Sequence, residues 1–464
     1  MGSSRQKRNS IAAQNAANAQ RDAWKTVAAR CAVGVLVLAV AVAKVTQKRR
    51  DVDISTITES RHCPRDRIKE YQHRPTFVKA PACPYVVRGF VADAAWLGTA
   101  FLKRLERATG PPFIEYDELS RGNVFTYYDR NMQHLPATSS HGRKVATSPR
   151  HLLSAIKKSR AARFGGPARA VSPQLESEID SKAWAAEART TWDLGDTPRL
   201  TGLWLGGKNT SSASHFDLFA NFHVLLSGKK SVRLAPPSDH ASFNFYPAPH
   251  PHARQARVDA AFEAASVLLH EGDAVYMPSG WVHRVGAAGT APAAAASFTA
   301  TPPEFHAFEG LVRAHAGAFF ADTSRPWSRE RESAVKRVFL PAVAYFWLGA
   351  AGQTVLQDYA RAYDGVARAV PDVECPVPSR ADIQLALAHA KAAAAAFQWF
   401  RVDLARLFFG PFADTVVQRV PHPALQGAPR WAASAAFVRE CCTFKGDSGG
   451  FSLRALLEPD IKPD

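Results

Sequence analysis

Between residues 200 and 300, short apolar runs alternate with turn residues, and the pattern predicts a sheet protein over that stretch. Residues 200–205 read as one strand, 221–226 as a second, and the alternating Ser231-Val232-Arg233-Leu234 as a third. Gly228 falls between the last two, where a hairpin turn belongs. Two further runs, 265–269 and 274–277, flank the turn signal Glu271-Gly272-Asp273, and 293–299 supplies another. Short strands at this spacing argue for a sandwich or a barrel. After residue 300 the period lengthens. Apolar positions recur at helical intervals over 304–320, 329–348, 354–370 and 381–409, in alanine-rich sequence punctuated by Pro326, Pro341 and Pro371. The apolar run 338–352 is too short and too proline-interrupted to read as a membrane span.

The amino terminus has a different pattern. Residues 31–43 are uninterruptedly apolar between Arg30 and Lys44. That is shorter than the ~20 residues that cross a bilayer, but the run lengthens to 27–45 if both cations snorkel toward the headgroups. The expectation is a single-pass membrane signal-anchor at 27–45, after a basic segment 1–26 and before a linker 46–74. Two alternatives remain: a signal peptide cleaved near Ala41-Val42-Ala43, which would release the chain into the secretory lumen, and an arginine-rich transit peptide to an organelle. Basic residues flank both sides, so charge leaves the orientation open. Met1-Gly2 resembles a myristoylation start, but Gln6 stands where Ser or Thr is wanted.

At 464 residues with 46% hydrophobic composition, the chain is ample for a large core and attachments. Its net charge of +17 is unevenly placed: the first fifty residues hold ten Lys or Arg and one acid, Asp22. A second basic stretch runs from Arg143 to Arg169 through Lys144, Arg150, Lys157, Lys158, Arg160 and Arg163, without an acid. It reads as a solvated helix and loop, with a surface for acidic partners or nucleic acid as the sharper alternative. Six cysteines show no metal spacing and are too few for a disulfide framework. Cys63 and Cys83 read equally as a bridge in an oxidising lumen and as free buried thiols. Asn209-Thr210-Ser211 is a glycosylation sequon, conditional on secretory entrance. A glycan just before the candidate metal loop would crowd the pocket mouth, which favours a cytosolic or organellar face.

That metal loop is His215-Phe216-Asp217, and His283 follows Pro278-Ser279-Gly280-Trp281-Val282. Two imidazoles and a carboxylate make a facial triad that leaves open positions on an octahedral iron. A structural zinc would want four closed ligands, usually thiolates, and no cysteine is near. A bare His-x-Asp is weak evidence, and Lys229 and Lys230 alone read as a solvated hairpin tip. His223 reads as a barrel wall residue, His250 and His252 as loop residues, and Trp281 as core.

The phrases around these residues resemble a JmjC domain of the cupin-like hydroxylase branch, which includes asparaginyl, arginyl and lysyl hydroxylases. They are Leu205-Gly206-Gly207, Ser212 through Asp217, Asn221-Phe222, Gly228 through Pro237, Phe245-Tyr246-Pro247, Gly272-Asp273 and Pro278 through His283. The resemblance spans 75–308. It implies an all-β core with helices, α+β overall, built as a double-stranded β-helix (jelly-roll or cupin barrel) with an N-terminal hydrophobic helix and a C-terminal helical extension over 309–464.

The same resemblance implies that His215, Asp217 and His283 bind Fe(II) and that Lys230 pairs with the far carboxylate of 2-oxoglutarate. Ser212 falls where a hydroxyl, usually of threonine, assists that lysine. Asn221 and Ser297 fall at polar positions beside the cosubstrate and the iron. The family's reaction consumes dioxygen and 2-oxoglutarate, releases succinate and carbon dioxide, and hydroxylates a C–H bond. The implied partner is a protein substrate, with RNA or lysine demethylation as lesser readings and a membrane-tethered inactive binding protein as the non-enzymatic one. The C-terminal helices are candidates for a homodimer contact.

Overall fold

The computed structural model describes residues 63, 68–72, 82–127, 142–159, 161–190, 201–243, 245–246, 252–257, 265–300, 303–321, 327–362, 375–398, 409–410, 412–413, 415–417 and 436–442. The stretch expected to form an N-terminal hydrophobic helix, the basic segment before it and the expected linker up to residue 62 lie outside these residues. No described helix is long and apolar enough to cross a membrane.

Two sheets carry the sheet-rich region. The larger has nine strands in the order β1 (Lys69–Tyr71), β2 (Tyr85–Val87), β13 (Ala274–Met277), β10 (Ala220–Ser227), β15 (Ala293–Ala300), β7 (Thr201–Gly206), β6 (Ala162–Pro167), β3 (Ile114–Glu118) and β5 (Arg143–Thr147). In the smaller, β12 (Ala265–Leu269), β11 (Lys230–Ala235), β14 (Val282–Ala287), β8 (Ser211–Ser212) and β4 (Val124–Phe125) lie side by side, and β9 (His215–Phe216) also pairs with β14. Strand β1 falls inside the stretch expected to be linker.

The turn at Gly228 differs from the expected hairpin. Strands β10 and β11 belong to different sheets, and β11 pairs with β12 and β14 instead. Gly228 has φ +80°, and a Cβ there would stand 2.7 Å from the carbonyl oxygen of Pro292, so the crossing between sheets requires glycine. Gly272, φ +89°, makes the corresponding crossing from β12 to β13. A hairpin and a crossing turn carry the same glycine signal, because both reverse the chain.

Sheet crossing also explains why β10 is apolar along most of its length rather than alternating. Strand β10 sends Phe222, Val224 and Leu226 into a core with Phe101, Leu152, Leu153 and Ile179 of the flanking helices Gly98–Glu106, Pro149–Lys158 and Pro173–Asp180. Its Leu225 packs against Val232, Leu234 and Val267 of the smaller sheet. Both faces are buried, which selects continuous apolar runs. Strand β15 contains four consecutive alanines, Ala293 to Ala296, poor strand formers held there by pairing with β10 and β7 on either side.

Asp273 fastens the approach to the domain. Its carboxylate accepts from Arg88 Nη1 at 2.6 Å and from the backbone N–H groups of Gly89 and His270 at 3.0 and 2.9 Å. The Asp273 side chain is 7% exposed. Asp273→Ala would remove one of the two carboxylates that Arg88 pairs with and leave two part-buried backbone amides without their acceptor, so urea unfolding should show a loss of about 1–3 kcal/mol. A loss below 1 kcal/mol would mean that the junction is not part of the cooperative unit.

The C-terminal helices build their own core. Phe308, Phe339, Val343, Phe397, Phe409 and Phe412 join one cluster that shares no residue with the sheet cores. Helix Arg329–Leu348 runs straight through Pro341, which was expected to punctuate it. The missing proline N–H costs about 3 kcal/mol, offset by complete burial of the neighbouring Val338, Phe339, Leu340, Ala342 and Val343. Ala386, Ala390, Ala393 and Ala394 are buried on one side of helix Arg380–Phe397, and small side chains there let it pack closely. The helix expected over 304–320 is interrupted by a π-helical turn at Arg313–Ala318. Cys63 is bonded to Cys83 and Cys375 to Cys441, while Cys442 is a buried free thiol.

Four of the eight basic residues in the stretch 143–169 have carboxylate partners among the described residues. Arg143 pairs with Glu118, Lys144 and Arg163 with Asp117, and Lys157 with Glu106.

Candidate metal centre

His215, Asp217 and His283 come together through strand pairing. His215 opens β9 and lies directly opposite His283 in the register with β14. Both therefore sit within strands rather than just after them, as the sequence pattern had suggested. Asp217 is fixed next to them because the N–H of Gly280 donates to its carbonyl at 2.8 Å and the Ser279 hydroxyl donates to that of Leu218 at 2.8 Å. Gly280, φ +79°, makes the tight turn that both bonds require. The ring of Phe216 points away and packs against His240 and Phe245.

The two imidazoles are oriented by their own backbones. Nδ1 of His215 lies 2.8 Å from the carbonyl of Ala213, and Nδ1 of His283 lies 3.0 Å from that of Trp281. A carbonyl can only accept, so each Nδ1 carries the proton and the neutral ring keeps a bare Nε2. Nε2 of His283 is 3.5 Å from Oδ2 of Asp217, the imidazole centroids are 4.1 Å apart, and one donor atom from each residue lies within 4.8 Å of the others. Burial, and then the neighbouring His283, push the pKa of His215 down to about 3, with Asp217 opposing. Lone pairs from two nitrogens and one oxygen thus face one point, an arrangement that fits a divalent cation. Among the described residues this is the one such group of histidine, cysteine and acid side chains.

Behind the triad the space between the sheets is polar. Strand β10 places Asn221 and His223 on the face that carries Leu225, and β15 places Ser297 opposite His223. Nδ1 of His223 is 2.7 Å from Oγ of Ser297, and Nε2 is 3.2 Å from Nζ of Lys230. The ammonium donates to that nitrogen, so Nδ1 is the protonated atom and donates to Ser297. Burial, then Lys230 and His283, hold the pKa of His223 well below the ordinary imidazole range.

Lys230 itself is 5% exposed. No carboxylate pairs with it among the described residues, and burial pushes its pKa down to about 7. A buried ammonium without an anion is costly, and such a group is suited to receive an acid. Asn221 is buried with no hydrogen-bond partner for its Oδ1, an unsatisfied polar atom on the face of β10 that carries His223. The Ser212 hydroxyl accepts from the Val285 N–H at 3.1 Å.

Two contributors were missed in the sequence. His223 was read as wall, although a period of two from Asn221 places both on one interior face. Arg254, φ +65°, brings its guanidinium 3.9 Å from the Asp217 carboxylate. It arrives because the segment 252–257 folds back on β9, with a bridge between Gln255 and His215, and no local sequence signal announces that.

Known proteins resemble parts of this chain. Residues 78–301 match a family model described as a cupin-like domain. The chain is 29% identical over 103 residues to Lysine-specific demethylase JMJ31 of Arabidopsis thaliana, covering 18% of each. It is 34% identical over 105 residues to Jumonji C domain-containing protein 5 of Drosophila melanogaster, covering 19% of this chain and 26% of that one. The matched stretch is thus about a fifth to a quarter of the length of these relatives. The solved structure of ycfD from E. coli aligns over 53% of this chain and 56% of its own at 15% identity, with a TM-score of 0.32.

Proposed function

We propose that this chain, whose residues 78–301 match a cupin-like domain, is an Fe(II)- and 2-oxoglutarate-dependent oxygenase of the JmjC type that hydroxylates a protein side chain. One observation carries the reading: a two-nitrogen, one-oxygen donor set and a buried lysine unanswered by any described carboxylate share one interior. The alternation of strands between two sheets supports the double-stranded β-helix reading of that interior.

When bound, the iron supplies the redox chemistry that couples decarboxylation of the keto acid to oxidation of a substrate C–H bond. The protein's part is to place and hold. His215, Asp217 and His283 would hold the metal. Lys230 would pair with the far carboxylate of 2-oxoglutarate, kept in position by its bond to His223, which Ser297 orients in turn. The Asn221 amide would offer a further polar contact, and Leu225, Val232 and Leu234 close the space behind to water. Ser212 acts on this reading through β14, whose Val285 N–H it satisfies.

Succinate release from purified protein with Fe(II), 2-oxoglutarate and candidate peptides tests the reading. Formaldehyde in the same assay would instead mark lysine demethylation, the activity in the name of one relative. Binding of metal and cosubstrate with no succinate, even uncoupled, would favour an inactive binding protein.

Proton linkage gives a further test. With a pKa near 7, Lys230 is mostly neutral at pH 8 in the absence of an acid, and pairing with a carboxylate restores its charge. Binding of 2-oxoglutarate at pH 8 should be accompanied by net proton uptake, and uptake should fall toward zero as the pH drops well below 7. Calorimetry in two buffers of different ionisation enthalpy measures this. Zero uptake at pH 8 would show that the ammonium does not change state on binding.

A further inference from the structure

Asn209-Thr210-Ser211 is the one Asn-x-Ser/Thr sequence in the chain. The oxygenase reading makes no use of it. The structure places Asn209 in the turn between β7 and β8 at φ +56°, exposed, with its backbone carbonyl accepting from Nδ2 of Asn123 at 2.8 Å. Asparagine tolerates the left-handed region better than most residues. The backbone is therefore anchored while the side chain points into water, and a bulky substituent would displace nothing.

Its distance from the metal residues removes the objection that a glycan would crowd them. Next to Asn209, Thr210 accepts from Ala287 at the far end of β14, and Ser211 pairs with Gly286. His215 pairs with His283 at the opposite end of that strand. Along β14 the four-residue step from Ala287 to His283 sets Thr210 about 13 Å from His215 at ~3.3 Å per residue.

The cysteines give an independent indication of compartment. Four of the six are paired, one pair within the approach to the sheet domain and the other within the helical core. Disulfides persist in oxidising compartments and are rare where glutathione keeps thiols reduced. Asparagine-linked glycosylation takes place in one such compartment, and the apolar run 27–45 read from the sequence would take the chain into it.

We propose that Asn209 carries an N-linked oligosaccharide and that the described domain folds in an oxidising lumen. In the transfer, the side-chain amide nitrogen of Asn209 bonds to the anomeric carbon of a lipid-pyrophosphate-linked oligosaccharide. The bond from that carbon to the pyrophosphate oxygen breaks, its electron pair leaves with the lipid pyrophosphate, and one amide proton is released. Nothing in this depends on metal or cosubstrate binding, so it stands or falls separately from the oxygenase reading.

The test is expression of the full chain in eukaryotic cells, followed by denaturing gel mobility before and after a peptide N-glycosidase. The wild type should shift by one discrete step. Asn209→Asp, which suits the left-handed turn, and Ser211→Ala should both lose that step, and Ser211→Thr should keep it. The same samples, alkylated before and after reduction, should show Cys63, Cys83, Cys375 and Cys441 protected until reduced. A wild type without the step, a step that persists in Asn209→Asp, or four freely alkylated cysteines would each overturn the proposal.

Discussion

Lys230→Ala raises the 2-oxoglutarate concentration for half-maximal succinate release by more than tenfold, with Fe(II) affinity unchanged. The far carboxylate of the cosubstrate would lose its buried cation partner, and leaving a buried charge without its partner costs about 2–5 kcal/mol, each ~1.4 kcal/mol being a factor of ten. A merely structural lysine predicts otherwise. Lys230 has no carboxylate partner among the described residues, and its amine meets the imidazole of His223, so removing it relieves the cosubstrate-free protein of a buried amine, whether desolvated as a cation below pH 7 or forced to give up its proton above it. Lys230→Met should therefore be at least as stable as wild type in urea, while sharing the cosubstrate defect. Loss of stability together with unchanged cosubstrate dependence would return Lys230 to the role of a packing residue.

Asp217→Ala weakens Fe(II) binding by more than 100-fold and removes succinate release altogether. Groups that merely orient a ligand already account for about 10–100-fold in metal affinity, and Asp217 supplies the only negative charge of the three donors. The loss is sharpened by Arg254, whose guanidinium stands 3.9 Å from that carboxylate and would then face the metal position with its charge unopposed. His215→Ala should behave alike. Calorimetric Fe(II) titration under nitrogen measures both. A variant that retained iron at wild-type affinity would place the metal elsewhere.

Sequence and structure agree where the pattern was dictated by burial. Residues 265–269, 274–277 and 329–348 form elements with the expected bounds, because apolar runs of those lengths have few other ways to be buried. Connectivity was less legible. Gly228 and Gly272 signalled reversals, but glycine is silent on whether the next strand pairs with the last or crosses to another sheet. Pro341 misled for a different reason: the local cost of proline is fixed, while the burial that offsets it is a property of the assembled helices.

The site divides along the same line. His215, Asp217, His283 and Lys230 were found from a spaced motif and a family resemblance, and the structure brings the three donors to one point. The function of His223 as the lysine's partner depends on the face of β10, which period-two counting from Asn221 contains but the apolar neighbours hide. Ser212 was placed by position alone, and pairing decided that its hydroxyl meets the backbone of β14. Arg254 depends on a fold-back of segment 252–257 that no short-range pattern encodes.

Anaerobic equilibrium dialysis with Fe(II) and labelled 2-oxoglutarate tests most directly whether triad and lysine make one site. The prediction is one iron and one 2-oxoglutarate per chain, iron lost in Asp217→Ala, and cosubstrate alone weakened in Lys230→Ala. Full iron occupancy in Asp217→Ala, or cosubstrate bound as tightly by Lys230→Ala as by wild type, would contradict it.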